Sequence, residues 1–318
     1  MDAAFAQDIH QGLTADQKYI PCQYFYDERG SWLFQQIMQL PEYYLTACET
    51  QILEQYNEEL LQAFRAGGQS FNLIDLGAGD ATKTKSLIGP YVDKGIDFTY
   101  TPVDLAPSIL SALSDSLDAV YEDNLRYNAM NADYWEAMEA LQSSGDPARK
   151  VVLFLGSNIG NFDAQQSMAF LQRLKTYLRP GDLVLLGFDL KKRPEIIYQA
   201  YLDTKGTTAA FNLNLLHRIN RELGGSFKPN YFRFYPAYNP QTGVLSSFLV
   251  AQKEQAVHIE ALDLTVHFDQ WEAIHTEISC KHTQTDIEAL ARAAGYHIQA
   301  QYTDKKAYFT DVLLTVEA

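Results

Sequence analysis

The segment Phe71-Asn-Leu-Ile-Asp-Leu-Gly-Ala-Gly-Asp80 constrains the fold more than any other. An apolar run of strand length, with Asp75 near its end, leads straight into a glycine turn. Only glycine lets backbone approach a ligand closely, so a nucleotide-containing cofactor is the expected occupant of such a turn. A plain strand–turn–helix junction is the competing reading. The spacing is Gly77-x-Gly79, and Thr82 stands where a dinucleotide fold places a third glycine. This points away from NAD and toward S-adenosylmethionine, which has no pyrophosphate to seat on a helix N-terminus.

At 318 residues the chain can build one large core, or a domain carrying a sizeable insertion. A hydrophobic content of 47% with 20% charged residues is that of a soluble globular protein. No apolar run approaches the roughly 20 residues of a bilayer span. Met1–Thr14 lacks the basic-then-apolar order of a signal peptide, so a cytoplasmic protein without a membrane partner is expected. Cys22, Cys48 and Cys280 are far apart and odd in number, which suggests neither a disulfide framework nor a zinc site, and no metal is expected. The net charge of −15 repels phosphate backbones, and no dense Lys/Arg patch offsets it. A small-molecule substrate is expected in place of a nucleic acid, and a monomer in place of an assembly.

Neither an internal repeat nor a low-complexity linker interrupts the chain. The first sixty residues read as helical, with apolar patterns at Phe34, Ile37, Met38 and Leu40 and again at Ile52, Leu53, Leu60, Leu61 and Phe64. Strand and helix signals then alternate. Strands are expected at Phe71–Leu76, Phe98–Val103, Lys150–Leu155 and Leu183–Phe188, with a helix at Gln166–Tyr177. Such alternation implies a parallel, doubly wound sheet. Residues 191–280 are richer in Asn, Tyr and Phe, with a helix around Asn212–Leu223 and alternating segments at Gly243–Gln252 and Val257–Phe268. They read as an inserted α+β unit for substrate recognition. Beyond Lys281 a helix at Thr285–Ala294 precedes strands His297–Thr303 and Tyr308–Thr315, joined by a short turn and therefore antiparallel. The expected fold is α/β: a class I, Rossmann-like methyltransferase sheet with an antiparallel final strand. Residues 1–190 and 281–318 form its cofactor domain, and 191–280 the insertion.

Methyl transfer is an in-line displacement, so the protein mainly supplies positioning and a nucleophile with a free lone pair. Asp104, ending the second strand, is placed to take two ribose hydroxyls, or else to cap the following helix in Asp-Leu-Ala-Pro. Asp133 and Tyr134 either meet the adenine amine and ring or form an acidic loop before a helix. Lys83 is a solvated helix residue or a partner for the cofactor's carboxylate. Asn161 follows the third strand on the side of the sheet where substrates bind. Glu277 and Ser279 share one face of an extended segment at period two, and could read a ring with adjacent donor and acceptor nitrogens, such as imidazole.

Together these residues resemble the histidine-specific N-alpha-methyltransferases of ergothioneine biosynthesis. The likeness is carried by Tyr24-Phe-Tyr-Asp-Glu-Arg-Gly30, Leu40-Pro-Glu-Tyr-Tyr44, Asp75–Lys83, Pro102-Val-Asp104, Phe154–Asn161, Thr208–Asn212, Ile219–Leu223 and Thr276-Glu-Ile-Ser-Cys-Lys281. The resemblance implies that Tyr26, Gly77, Lys83, Asp104, Asp133 and Tyr134 line the cofactor and amine region, with Gly79 completing the turn. It implies that Tyr43, Asn161 and Tyr201 hold the amino-acid backbone, while Glu277 and Ser279 grip the imidazole. Tyr26, Tyr43 and Asn161 would orient the neutral amine for attack. The implied reaction is stepwise methylation of L-histidine to its betaine, hercynine. In one place the chain departs from the family pattern, carrying Ser247 where histidine-specific members tend to place methionine. Alternatives are the same chemistry on another aromatic amino acid or amine, an NAD-type oxidoreductase, and a non-catalytic binding module.

Overall fold

The computed structural model describes residues 3–66 and 70–316. Helices α1 (Ala3–Thr14), α2 (Glu28–Met38), α3 (Tyr44–Gln55) and α4 (Asn57–Phe64) come first. Then follow β1 (Phe71–Leu76), α5 (Thr82–Asp93), β2 (Phe98–Asp104), α6 (Pro107–Tyr121), β3 (Met130–Asn131) and α7 (Tyr134–Ser143). Next come β4 (Arg149–Phe154), α8 (Ala164–Lys175), β5 (Leu183–Asp189), α9 (Pro194–Tyr201) and α10 (Thr207–Leu223). Five strands succeed them: β6 (Phe232–Asn239), β7 (Val244–Ala251), β8 (Gln255–Ile259), β9 (Leu264–Phe268) and β10 (Ala273–Cys280). The chain closes with α11 (Gln284–Ala294), β11 (Tyr296–Thr303) and β12 (Phe309–Val316). None of the helices among the described residues is long and apolar enough to cross a membrane.

Two units divide the chain, one of Met1–Tyr44 with Lys192–Ser279, the other of Leu45–Lys191 with Cys280–Ala318. The second is built on a seven-stranded sheet of order β11-β12-β5-β4-β1-β2-β3. Strands β1 to β5 run parallel, whereas β12 pairs antiparallel with both β5 and β11. This is the class I methyltransferase sheet that the alternation of elements predicts. Every residue of β1 and of β5 is buried, as strands covered on both faces require. Ile74, Leu76, Val184, Leu186, Val312 and Leu314 share a core with α7, α8 and α11. The alternate residues face the other way. There Phe71 meets Phe64 of α4 and Tyr91 of α5.

The first unit has its own core. Phe5, Ile9 and Leu13 of α1 and Leu33 and Ile37 of α2 pack with Phe211, Leu215 and Ile219 of α10 and with Leu249 and Ile274 of the sheet β10-β7-β6. The boundary expected from composition, which groups 1–44 with the cofactor domain, therefore differs from the observed grouping. The reason is long-range: the apolar stripes of α1 and α2 find their partners about two hundred residues later in the chain. A second difference concerns Val257–Phe268, expected as one strand. It is a hairpin, with β8 and β9 paired antiparallel from Ile259↔Leu264 to Gln255↔Phe268. Asp263 turns the chain in the left-handed region at φ 45°. Both strands bury one face, Val257 and Ile259 with Val266 and Phe268, and the buried positions change from odd to even numbers across the turn, which is the break that marks a hairpin.

Candidate active site

The glycine turn is built by three backbone contacts. Gly77 and Ala78 donate their N–H groups to Val103 O at 2.9 and 3.1 Å, and Gly79 donates to Asp104 Oδ2 at 3.0 Å. Gly77 and Gly79 sit at φ +76° and +56°, which glycine adopts without strain. A Cβ at Gly77 would also come within 3.1 Å of the Tyr134 hydroxyl. Asp104 Oδ1 accepts the Ala106 N–H at 3.0 Å, so each carboxylate oxygen already carries one backbone donor and the helix cap falls to Ala106. An ionised carboxylate has about four acceptor positions, which leaves room for two hydroxyl donors. These contacts fit a ribose-bearing cofactor.

Asp133, in the turn before a helix, caps α7. Its Oδ1 accepts from Trp135 N and Glu136 N at 2.7 and 2.9 Å, and Glu136 returns the bond to Asp133 N, forming a capping box. Oδ2 takes no part in that cap. Tyr134 packs edge-on against Phe154 and Phe170, with its hydroxyl over Gly77. Lys83 is no freely solvated residue. Its ammonium pairs with the carboxylate of Glu49, whose side chain is fully enclosed. Both Glu49 oxygens accept the N–H of Gly156, at 2.7 and 2.9 Å. Gly156 opens the turn that ends at Asn161, which is half-buried at the close of a 3-10 segment. Asp75 accepts the hydroxyls of Thr84 and Tyr100 at 2.7 and 2.9 Å, and burial holds its carboxyl above the usual range despite them.

The remaining predicted residues belong to the other unit, and the structure brings them together. Asp27 caps α2 through Gly30 N and accepts from Asn214 of α10, each at 2.7 Å. A Cβ at Gly30 would fall 1.7 Å from Phe25 O, so the Tyr24–Gly30 motif is a tight turn that presents Tyr26. From Tyr26 a row of edge-on rings runs to Phe34, Tyr43 and Tyr201. The Tyr201 hydroxyl then lies 2.8 Å from that of Ser279 on β10. Glu277, two residues earlier, is half-buried and close enough to Cys22 for its charge to oppose the thiol's ionisation. Burial is the larger cause, and together they push Cys22 up to about 12. Tyr26, expected in the cofactor and amine region, is linked through Phe34 to Tyr43 and Tyr201. Ser247 is buried on β7, the neighbour of β10, its carbonyl accepting from Thr276 Oγ1 at 3.1 Å while its own hydroxyl has no partner.

Residues 5–316 match the model of the SAM-dependent histidine-specific methyltransferase family. The chain belongs to that family. It is 37% identical over 306 residues to the histidine N-alpha-methyltransferase of Mycobacterium tuberculosis, covering 96% of this chain and 93% of that protein. Identity to the enzyme of the same name from Mycolicibacterium smegmatis is 36%, with the same coverage. The L-tryptophan methyltransferase of Psilocybe serbica is 28% identical over 319 residues, covering 91% of this chain and 86% of its own. The protein is a methyltransferase, and its cofactor is S-adenosylmethionine.

Sequence reasoning missed Glu49, although a signal was there. Leu45, Cys48, Ile52 and Leu53 form the buried stripe of α3, and Glu49 lies on that stripe. An acid at a core position needs a partner. It missed Asn158 too, whose side chain lies between Gly77 and Gly156, 3.5 Å from a Cβ at the first and 3.6 Å from one at the second.

Proposed function

We propose that the protein methylates the α-amino nitrogen of L-histidine in successive steps to give the trimethylated betaine, hercynine. The observation that carries the substrate reading is the buried Tyr201–Ser279 hydroxyl pair beside Glu277 on β10. A carboxylate and a hydroxyl at this spacing can accept from one imidazole nitrogen and donate to the other. Side chains without ring nitrogens could return neither bond, which is how such a site discriminates.

S-adenosylmethionine supplies the methyl group when bound, and Gly77, Gly79, Lys83, Asp104, Asp133 and Tyr134 are the residues assigned to hold it. Tyr26, Tyr43, Tyr201 and Asn161 orient the amino acid. An α-amino group ionises near pH 8, so freeing its lone pair at neutral pH asks for no strong base. Tyrosine hydroxyls and an asparagine carbonyl suffice to align a neutral amine, and they tolerate its growth from primary to tertiary. The net charge of −15 supports a small-molecule substrate over a nucleic acid, and a cytoplasmic monomer fits this reading.

Ser247 favours a second reading, the same chemistry on a bulkier aromatic amino acid. A panel of the common amino acids with labelled cofactor, products read by mass, separates the two. Three methyl groups on histidine alone support the first; transfer to tryptophan or tyrosine in preference to histidine overturns it.

A further inference from the structure

A buried carboxyl pair lies on the sheet face covered by α3, unused by the mechanism above. Glu49 is fully buried and holds two things at once, the Lys83 ammonium and the N–H of Gly156. On the sheet, Gly187 of β5 is the register partner of Asp311 of β12. A Cβ at Gly187 would lie 2.3 Å from Glu49 Oε1. Directly opposed residues of an antiparallel pair point to the same face, with Cβ positions about 5 Å apart. Asp311 therefore faces Glu49 across the space that Gly187 leaves open.

Asp311 is fully buried, and neither of its carboxyl oxygens meets a donor. Among the described residues, Lys83 on α5 and Asp75 on β1 also act on Glu49. Asp75 is already satisfied by two hydroxyls, so the one cation has two acids beside it. Two facing carboxylates offer only acceptors; a proton on one converts them into a donor and an acceptor. Burial, then the charge of Glu49, holds the Asp311 carboxyl well above the ordinary range, with Lys83 opposing.

We propose that Glu49 is a positioning residue for the amino-acid end of the cofactor, and that Asp311 serves it as a protonated hydrogen-bond donor. The Lys83 side chain is 18% exposed, so Glu49 holds it from one side without sealing it from solvent. One carboxylate balances one ammonium; a second charge at Asp311 would have no counter-ion. Through Gly156 the same carboxylate also fixes the turn that ends at Asn161. The inference rests on the reading that Lys83 meets the cofactor's carboxylate.

Infrared spectra of the ligand-free protein in deuterated buffer at about pH 8 test the proton directly, since unshifted carboxyl groups are ionised there. A protonated-carboxyl carbonyl band is expected that is lost in Asp311→Asn and kept in Asp75→Asn, the other buried carboxyl held above the usual range. Calorimetry with S-adenosylhomocysteine and with 5′-methylthioadenosine, which lacks the amino-acid end, tests the positioning. Asp311→Asn, whose amide donates in place of the acid, should bind S-adenosylhomocysteine within about two-fold of the parent. Glu49→Gln should lose about ten-fold or more on S-adenosylhomocysteine with methylthioadenosine unchanged. No band in the parent protein overturns the donor role of Asp311. Equal loss on both ligands in Glu49→Gln overturns the positioning role. Unchanged S-adenosylhomocysteine affinity in Lys83→Met sinks the reading of Lys83 and the positioning role with it, while the band still reports the shared proton.

Discussion

The hydroxyls of Tyr201 and Ser279 lie 2.8 Å apart, joining the last residue of α9 to strand β10 within a buried setting. Removing one partner of a buried hydrogen bond costs about 1–3 kcal/mol. Tyr201→Phe should therefore lower kcat/KM for histidine by about ten- to a hundred-fold. Affinity for S-adenosylhomocysteine, read by calorimetry, should not change. A parallel loss in both would mean that the pair only supports the fold.

Glu277→Gln keeps shape and removes charge. A hydrogen bond to a charged group contributes about 1.5–3 kcal/mol, so histidine kcat/KM should fall by about ten- to a hundred-fold. The same variant has a second readout. Glu277 opposes ionisation of Cys22, so the thiol should ionise at lower pH in the variant and react faster with an alkylating agent. Unchanged alkylation would show that the carboxylate does not act on this thiol.

Asp104→Asn is not a mild change. Both carboxylate oxygens accept a backbone N–H, from Gly79 and from Ala106. An amide must turn its NH2 toward one of these donors, at a cost of about 1–3 kcal/mol. Affinity for S-adenosylhomocysteine should drop by at least about ten-fold, and the urea midpoint should fall as well. Loss of affinity with the midpoint unchanged would contradict the structural half of this account.

His282 provides a test in pH. Burial pulls its imidazole down to about 4, from an ordinary value of 6.5. Within that window the unfolded chain binds a proton that the folded chain does not, so this group's share of stability falls as pH falls, by about 3 kcal/mol in full. Asp311, raised in the fold, acts with the opposite sign above its unfolded value and masks part of the slope. His282→Phe keeps the edge-on contact with Phe188 and removes the titration. Relative to the parent it should gain stability between about pH 6.5 and pH 4, as read from urea midpoints. Parallel profiles would mean that His282 takes up its proton as readily in the folded chain as in the unfolded one.

What the residues reveal locally and what they conceal can be traced to range. The run Phe71–Leu76 into Gly77 is legible because strand, turn and close approach are all decided within ten residues. The Asp133 cap is equally local, since Asp-x-x-Glu ahead of an apolar run is a helix start. Membership of α1 and α2 in the first unit is not local. An amphipathic stripe reveals that a helix is covered, not by what. Glu49 was hidden for a different reason: an acid on an apolar stripe looks like a break in the pattern until the cation and the backbone N–H that satisfy it are seen.

The close approach of Glu49 to Gly187 ties two positions far apart in the chain to a common fate. Gly187→Ala alone places a methyl group 2.3 Å from a carboxylate oxygen and 3.1 Å from the Phe309 ring. The ring can shift a few tenths of an ångström, but the enclosed carboxylate, held at Gly156, cannot. With Glu49→Ala the same methyl group gains the space that the carboxylate vacates. The two substitutions should therefore be strongly non-additive, each damaging alone and the pair less damaging than their sum, by about 1–3 kcal/mol in a double-mutant cycle read from denaturant midpoints. A chain without the acid at position 49 has room for a side chain at position 187, and one that keeps it has not.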